Sequence, residues 1–311
     1  MTALRHHMKP WQLLVMILLN AGWAATPIIN KALEGQLQPG GIVTLRFGLA
    51  ALCLAALWPW LPGKTPRGRD LAISVLIGLL VFMVGQRLQV LGVKLGTAGN
   101  SAVLMGLEPM LVTVAAAVFL REHIGPRRLA GLVVSLAGVV VLNEVWRPGF
   151  QWTGLVPSLI FVSSFVTETA YSILGKPLLE RAGSTKILAC ALFGAALANL
   201  LFDGSQTMRA AATLRWSDWA MLAYMAIVCT VIGYAMWFEV IRTVPVNVVA
   251  LTIFVQPVAG VPLALWYLHE PLHWGQLWGS LVIAAGLLLG LSRQVSRQGV
   301  SQCCPEEKPG G

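Results

Sequence analysis

Four side chains stand where polar groups are hard to keep. Glu108, Glu168, Asn20 and Gln256 each fall near the middle of a long apolar run. A polar or ionisable group in hydrocarbon is costly unless it faces a partner or a wet cavity, so each is a functional candidate by default. The chemistry open to a carboxylate in such a place is proton exchange, for which it has to titrate near neutrality. Glu108 and Gln256 also stand directly before prolines, Pro109 and Pro257. A proline in a helix frees the carbonyl four residues back and kinks the axis. A polar side chain beside opened backbone suits a binding site at mid-depth. The alternative for Glu108 is a buried ion pair or interhelical hydrogen bond that sets packing. Glu168 lies in the hydroxyl-rich stretch SSFVTETAY, and the same alternatives hold for it.

Other polar residues sort by depth. Arg46 falls in the outer third of its run, where it can meet a carboxylate ligand bidentately or pair with a buried glutamate. Arg87 and Lys94 lie towards the outer end of theirs and are expected to snorkel to the interface. Glu239 and Arg242 are spaced for a local pair. Glu122 and Glu270 end their runs and are expected to satisfy backbone donors ahead of the next helix. Trp58, Trp60, Trp146, Trp152, Trp216, Trp219 and Trp274 cluster at run ends as interface belts. Trp23, Tyr171, Tyr234 and Trp237 lie deeper, where they either line a cavity or pack.

The elements that must hold these residues follow from composition. Of 311 residues, 57 % are hydrophobic and 11 % charged, against roughly a quarter charged in a soluble domain. The apolar residues come in runs instead of alternating, which favours helices over a β-barrel. About 20 apolar residues span the hydrocarbon core. That ruler places spans near 11–30, 40–61, 71–91, 97–120, 128–144, 153–175, 184–203, 218–241, 246–268 and 275–292. The first is read as a retained span, since no small-x-small cleavage site follows it. Most Lys and Arg of the connections then fall on one side, among them Arg5, Lys9, Lys64, Arg67, Arg128 and Arg293. The positive-inside rule puts both termini in the cytoplasm.

The chain also repeats itself. Shifted by 148 residues, 85–142 lies on 233–290 without a gap, so that Gly85 meets Gly233, Pro109 meets Pro257 and Glu122 meets Glu270. Each half holds five spans, an odd number, so the second half enters the membrane inverted relative to the first. The expected fold is an all-α integral membrane protein of ten transmembrane helices arranged as two inverted five-helix repeats. Its parts are a cytoplasmic N-terminus at 1–10, repeats at 11–144 and 153–292, and a disordered cytoplasmic tail at 293–311.

Several function classes lose support. The formal charge of +9 comes from small clusters between runs, without the basic stripe or aromatic platform of a nucleic-acid binder. No GxxxxGK[ST] loop occurs for ATP, no CxxC spacing for zinc or thiol redox, and no cofactor motif is found. All five histidines lie at termini or in connections, which counts against an intramembrane enzyme. Cys303 and Cys304, in the tail, could bind metal or carry an acyl chain, or be incidental.

The chain resembles the drug/metabolite transporter superfamily, specifically its EamA type with ten spans. Span 1 reads NAGWAATPIINKALEG, with Gly22, Trp23 and Lys31 similar to the family's opening pattern, and span 2 reads LRFGLAALCLAAL with Arg46 in place. The stretches LEPMLVTVAAAVFLREHIGPRRLAGLVVSLAGVVVL and VQPVAGVPLALWYLHEPLHWGQLWGSLVIAAGLLLGL both carry its Pro, Glu, Gly…Gly order, and IGYAMWFEVI is similar to its aromatic segment. The resemblance covers roughly 11–292. Gln86, Arg87 and Gln89 depart from the pattern, and so does Glu168 in span 6, which lacks the Gly-Trp pair of span 1. The resemblance implies a carrier in the bacterial inner membrane, a monomer or homodimer, that exports a small metabolite such as an amino acid, with protons as the candidate coupling ion. An importer or facilitator, or a non-transporting membrane subunit, is the alternative. The candidate site residues are Asn20, Trp23, Arg46, Glu108, Glu168, Tyr171, Tyr234, Trp237 and Gln256, with kinks at Pro109 and Pro257.

Overall fold

A computed structural model describes residues 9–108, 110, 111, 126–147, 152–244, 249 and 251–300. Among these residues every regular element is helical. In lipid no water is at hand to satisfy backbone groups, and a helix satisfies them within one segment.

In chain order the helices are α1 (Pro10–Ala32, interrupted after Trp23), α2 (Pro39–Ala56), α3 (Arg69–Leu95), α4 (Ala98–Leu107), α5 (Pro126–Leu142), α6 (Val156–Leu178), α7 (Ser184–Ala211), α8 (Trp216–Thr243), α9 (Val255–Leu268) and α10 (Trp274–Val300). Six of them, α1, α2, α3, α6, α7 and α8, are long and apolar enough to cross a membrane, and three shorter apolar segments lie within α4, α5 and α9. Proline opens α1, α2 and α5, a position where its missing N–H loses no helical bond. Trp60, Trp146, Trp216 and Trp274 are exposed at helix ends, where interface belts are expected.

Two irregularities recur in both halves. The middle of α3 is π-helical over Gly78–Gly85, and the middle of α8 is π-helical over Met225–Ile232. Their starts are 225 − 78 = 147 residues apart, against the sequence shift of 148. A 3-10 turn precedes each proline of interest, at Met105–Leu107 before Pro109 and at Leu251–Phe254 before Pro257. Pro109 itself lies outside the described residues. Pro257 is the third residue of α9, so the expected mid-helix kink is instead a change from 3-10 to α geometry at the start of the helix. Proline is tolerated there because an amide in the first turn has no intrahelical acceptor to lose.

Helices α5 and α10 run antiparallel in close contact. A Cβ on Gly138 would come within 2.6 Å of the Ile283 side chain, and one on Gly286 within 2.6 Å of the Ser135 amide nitrogen. Ser135 Oγ donates to the Ile283 carbonyl at 3.4 Å. Small residues let the backbones approach in this way, and van der Waals packing then holds the pair without a hydrophobic drive. The contacts are reciprocal under the repeat, since 135 + 148 = 283 and 138 + 148 = 286.

The largest buried cluster joins α1, α2, α3, α6, α7 and α8 through side chains such as Phe47, Phe82 and Phe238. A second gathers Phe161 and Phe165 with residues of α4, α5 and α10. The polar cavity described next draws residues from both sets of helices.

Candidate functional site

The π segments set the stage because each ends where functional side chains begin. In α3 the first residue after the π segment is Gln86, and Gln89 follows one turn later on the same face. In α8 Gly233 and Tyr234 follow the π segment directly. π-bulges are rare and frequent at functional sites. Inside the α8 segment, Thr230 Oγ1 donates to the Met225 carbonyl at 2.8 Å, and the Cys229 carbonyl accepts from Trp23 Nε1 at 2.6 Å. Trp23 closes the first part of α1, where the chain breaks before Thr26; Tyr224 Oη donates to Gly22 O there at 3.0 Å. The indole fits only because residue 233 is glycine, since a Cβ would meet Trp23 Cζ2 at 2.8 Å.

A chain of hydrogen bonds joins four helices, α8, α2, α3 and α6. Arg46 on α2, 3 % exposed, donates through Nε to Thr230 Oγ1 at 3.1 Å and through Nη1 to Gln86 Oε1 at 2.9 Å. Gln86 Nε2 donates to Glu168 Oε1 at 2.6 Å, and Gln89 Nε2 donates to the same oxygen at 3.2 Å. The carboxamide of Gln86 therefore relays between a buried guanidinium and a half-buried carboxylate that do not touch. Arg46 thus meets Glu168 only through the Gln86 carboxamide. Among the described residues, two of its five N–H donors are engaged.

Glu108, on the turn that follows Met105–Leu107, faces the same cavity from α4. Among the described residues no hydrogen-bond donor and no cation within ion-pair distance reaches its carboxylate. Met105 and Ile253, each four positions ahead of one of the two prolines and 148 residues apart, both line the cavity. Gln256, at the start of α9, also lines the cavity; it is 3 % exposed, and its Nε2 donates to Asn20 Oδ1 at 2.7 Å. Asn20 is fully buried behind it. Its Nδ2 donates to Met16 O at 2.8 Å and Thr252 Oγ1 at 2.9 Å.

Aromatic rings complete the wall. The Trp23 ring lies 5.6 Å from Tyr234 and 6.0 Å from Trp237, both tilted. Tyr171 stacks on Phe238 at 4.0 Å and donates its hydroxyl to Tyr234 O at 3.1 Å. Trp237 Nε1 reaches Ser172 Oγ at 3.4 Å. The cavity measures about 60 Å³, room for ordered water among polar groups.

The structure thus brings together eight of the sequence candidates, Trp23, Arg46, Glu108, Glu168, Tyr171, Tyr234, Trp237 and Gln256, around one cavity. Asn20 stands one layer behind and orients Gln256. Sequence reasoning did not place Gln86, Gln89, Thr230 or Thr26 in the site. The signal for the two glutamines was available: carboxamides at i and i+3 in an otherwise apolar span share a face.

Other expectations need correction. Arg87 does not snorkel; it pairs with Asp203 of α7 and donates through Nε to Asn199 Oδ1 at 2.9 Å. An interhelical carboxylate at the same depth outcompetes the interface. Lys94 donates to Gln38 Oε1 at 2.9 Å. Glu270 does cap backbone donors, but those of α4: Ala98 N and Gly99 N each donate to its carboxylate at 2.9 Å. The helix that needs an anion at its N-terminus is the one beside it in space, not the next along the chain. Glu122 lies outside the described residues. Glu239 pairs with Arg242 at 3.4 Å as expected, and also accepts from Ser184 Oγ.

Comparisons with known proteins agree with this architecture. A probable terminal-alkyne amino-acid exporter of Streptantibioticus cattleyicolor is 27 % identical over 296 residues, 91 % of this chain and 96 % of that protein. A probable amino-acid metabolite efflux pump of Salmonella typhimurium is 23 % identical over 286 residues, 86 % of this chain and 91 % of that protein. A solved crystal structure, 16 % identical, superposes with a TM-score of 0.63 over 94 % of this chain and 99 % of its own, a likeness of fold alone. The model of the EamA-like transporter family matches twice, over residues 10–144 and 156–292. With its apolar helices and this double match, the chain is a multi-pass membrane transporter, not an enzyme, and it belongs to the EamA-like transporter family.

Proposed function

We propose that the protein is a secondary carrier that exports a small organic metabolite, an amino acid or related compound, across a bacterial inner membrane. Ten spans form two inverted five-helix repeats with both termini cytoplasmic. The repeats alternate access to the cavity between them, and a cavity carboxylate, Glu108 or Glu168, exchanges the coupling proton. The observation that carries the reading is a polar cavity drawn from both halves, with Arg46, Gln86 and Glu108 from one and Glu168, Tyr234 and Gln256 from the other. Substrate sites of inverted-repeat carriers lie at that interface. The reciprocal α5–α10 contacts support inversion. Two antiparallel helices that exchange Gly138–Ile283 for Gly286–Ser135 are related by a two-fold axis perpendicular to both, which lies in the membrane plane if the helices cross it. The paired π segments point the same way. Outward direction and amino-acid cargo draw on the names of the relatives.

The test is a metabolite-resolved counterflow screen in proteoliposomes, with and without a pH gradient. Saturable exchange of at least one panel compound is expected, accelerated by the gradient in wild type and indifferent to it when the coupling carboxylate is replaced by glutamine. If no compound exchanges in either direction, the carrier reading fails.

A further inference from the structure

We infer that the cargo carries a cationic nitrogen and that Glu108 is the group that receives it. This rests on the carrier reading of the cavity and narrows the substrate class within it.

Among the described residues, three side chains that can carry a full charge line the cavity beside its tyrosines: Arg46, Glu168 and Glu108. Arg46 and Glu168 balance each other through Gln86, with hydrogen bonds of 2.9 and 2.6 Å on its two sides. Glu168 takes a second donor from Gln89. Nothing comparable serves Glu108, which among the described residues has neither a donor nor a cation at hand. With both carboxyl groups deprotonated the formal charge of these three is +1 − 1 − 1 = −1, and the excess falls on Glu108, the one of them without a partner among the described residues. A carboxylate in a desolvated cavity is costly without a partner, so a positive occupant is favoured there.

The rest of the wall selects what that occupant is. Trp23, Tyr234 and Trp237 turn ring systems towards the same space, and the negative face of an indole or phenol attracts a cation most strongly when water is scarce. A compound with an ammonium group gains from both the carboxylate and the rings. A neutral compound gains from neither charge term, and an anion is opposed by the net charge. The uncommitted N–H groups of Arg46 leave room for a carboxylate on the same molecule, so a zwitterion is admitted. A bare carboxylate is not.

Three probes with one phenyl body separate the possibilities: phenethylamine carries only the ammonium, phenylalanine both groups, and 3-phenylpropionate only the carboxylate. Binding is measured by calorimetry on the full chain in lipid nanodiscs at neutral pH. Phenethylamine and phenylalanine are expected to bind at least about tenfold more tightly than 3-phenylpropionate, the scale of one charge-assisted bond. Glu108→Gln is expected to erase that preference. The wild-type series alone decides the matter if the variant does not fold. Equal or tighter binding of 3-phenylpropionate, failure of both amine probes to bind, or an unchanged preference in folded Glu108→Gln overturns the inference. Counterflow of a metabolite extract, run in parallel, keeps the two readings apart. Saturable exchange without amine preference leaves the carrier and removes the cation, with a proton as the sole positive occupant. Amine-selective binding without exchange does the reverse.

Discussion

Replacing Gln86 by leucine tests whether the polar network is a unit. The side chain is 2 % exposed and makes two bonds to charged partners, 2.9 Å to Arg46 and 2.6 Å to Glu168. Hydrogen bonds to charged groups contribute about 1.5–3 kcal/mol each, so removing both costs about 3–6 kcal/mol if the partners stay stranded. Cavity water next to Glu168 can replace one donor, which lowers the expected loss to about 2–4 kcal/mol. Leucine has nearly the same volume, so packing contributes little. The measurement is equilibrium unfolding in mixed micelles, as a double-mutant cycle with Glu168→Leu. In that background the Gln86–Glu168 bond is already gone, and Gln86→Leu should cost about 1.5–3 kcal/mol less than in wild type. Additivity of the two changes within about 0.5 kcal/mol would mean that the relay does not operate and that Arg46 and Glu168 are satisfied independently.

Two further outcomes follow from contacts at the periphery of the site. Glu270→Ala strips the α4 N-terminus of an anion that accepts from two amides, and is expected to lower stability by about 1–2 kcal/mol in the same unfolding assay; Glu270→Gln, which keeps the acceptor without the charge, should recover part of it. Gly138→Ala and Gly286→Ala each drive a methyl into the facing helix at 2.6 Å, and overpacking of that kind costs about 1–3 kcal/mol. Because the contacts are reciprocal, the two losses should be similar, and free tolerance of one alone would argue against the two-fold relation.

How much of this could be read in the sequence differs by level. Apolar run length located the helices, since lipid leaves the backbone no alternative and the ruler of the bilayer is fixed. Depth along those runs also picks out most of the polar residues that line the cavity, because a polar residue at mid-span has few reasons to be there. What depth cannot supply is azimuth. Asn20 and Gln256 share a depth, yet one lines the cavity and the other braces it from behind. Nor does one sequence say which helices adjoin, because in lipid any apolar face packs acceptably on another. For that reason depth alone sends Arg87 to the interface and does not reveal its partner Asp203. The π segments left no trace at all: Gly78–Gly85 and Met225–Ile232 are continuous apolar runs, and hydrophobicity does not register an extra residue in a turn.

The residues that seemed out of pattern in span 3 and span 6 gain a reason once adjacency is known. Gln86 and Gln89 on α3 and Glu168 on α6 bond to one another, so a carboxylate on one helix is matched by two carboxamides on the next. Either departure alone would bury an unsatisfied polar group, at about 1–3 kcal/mol for a neutral one and more for a charge. Together they stand as a single substitution of a polar cluster for apolar packing, tied through Arg46 to the π segment of α8 at Thr230. That cluster satisfies its own members, and leaves Glu108, which has no donor among the described residues, as the place where an incoming group makes the largest difference.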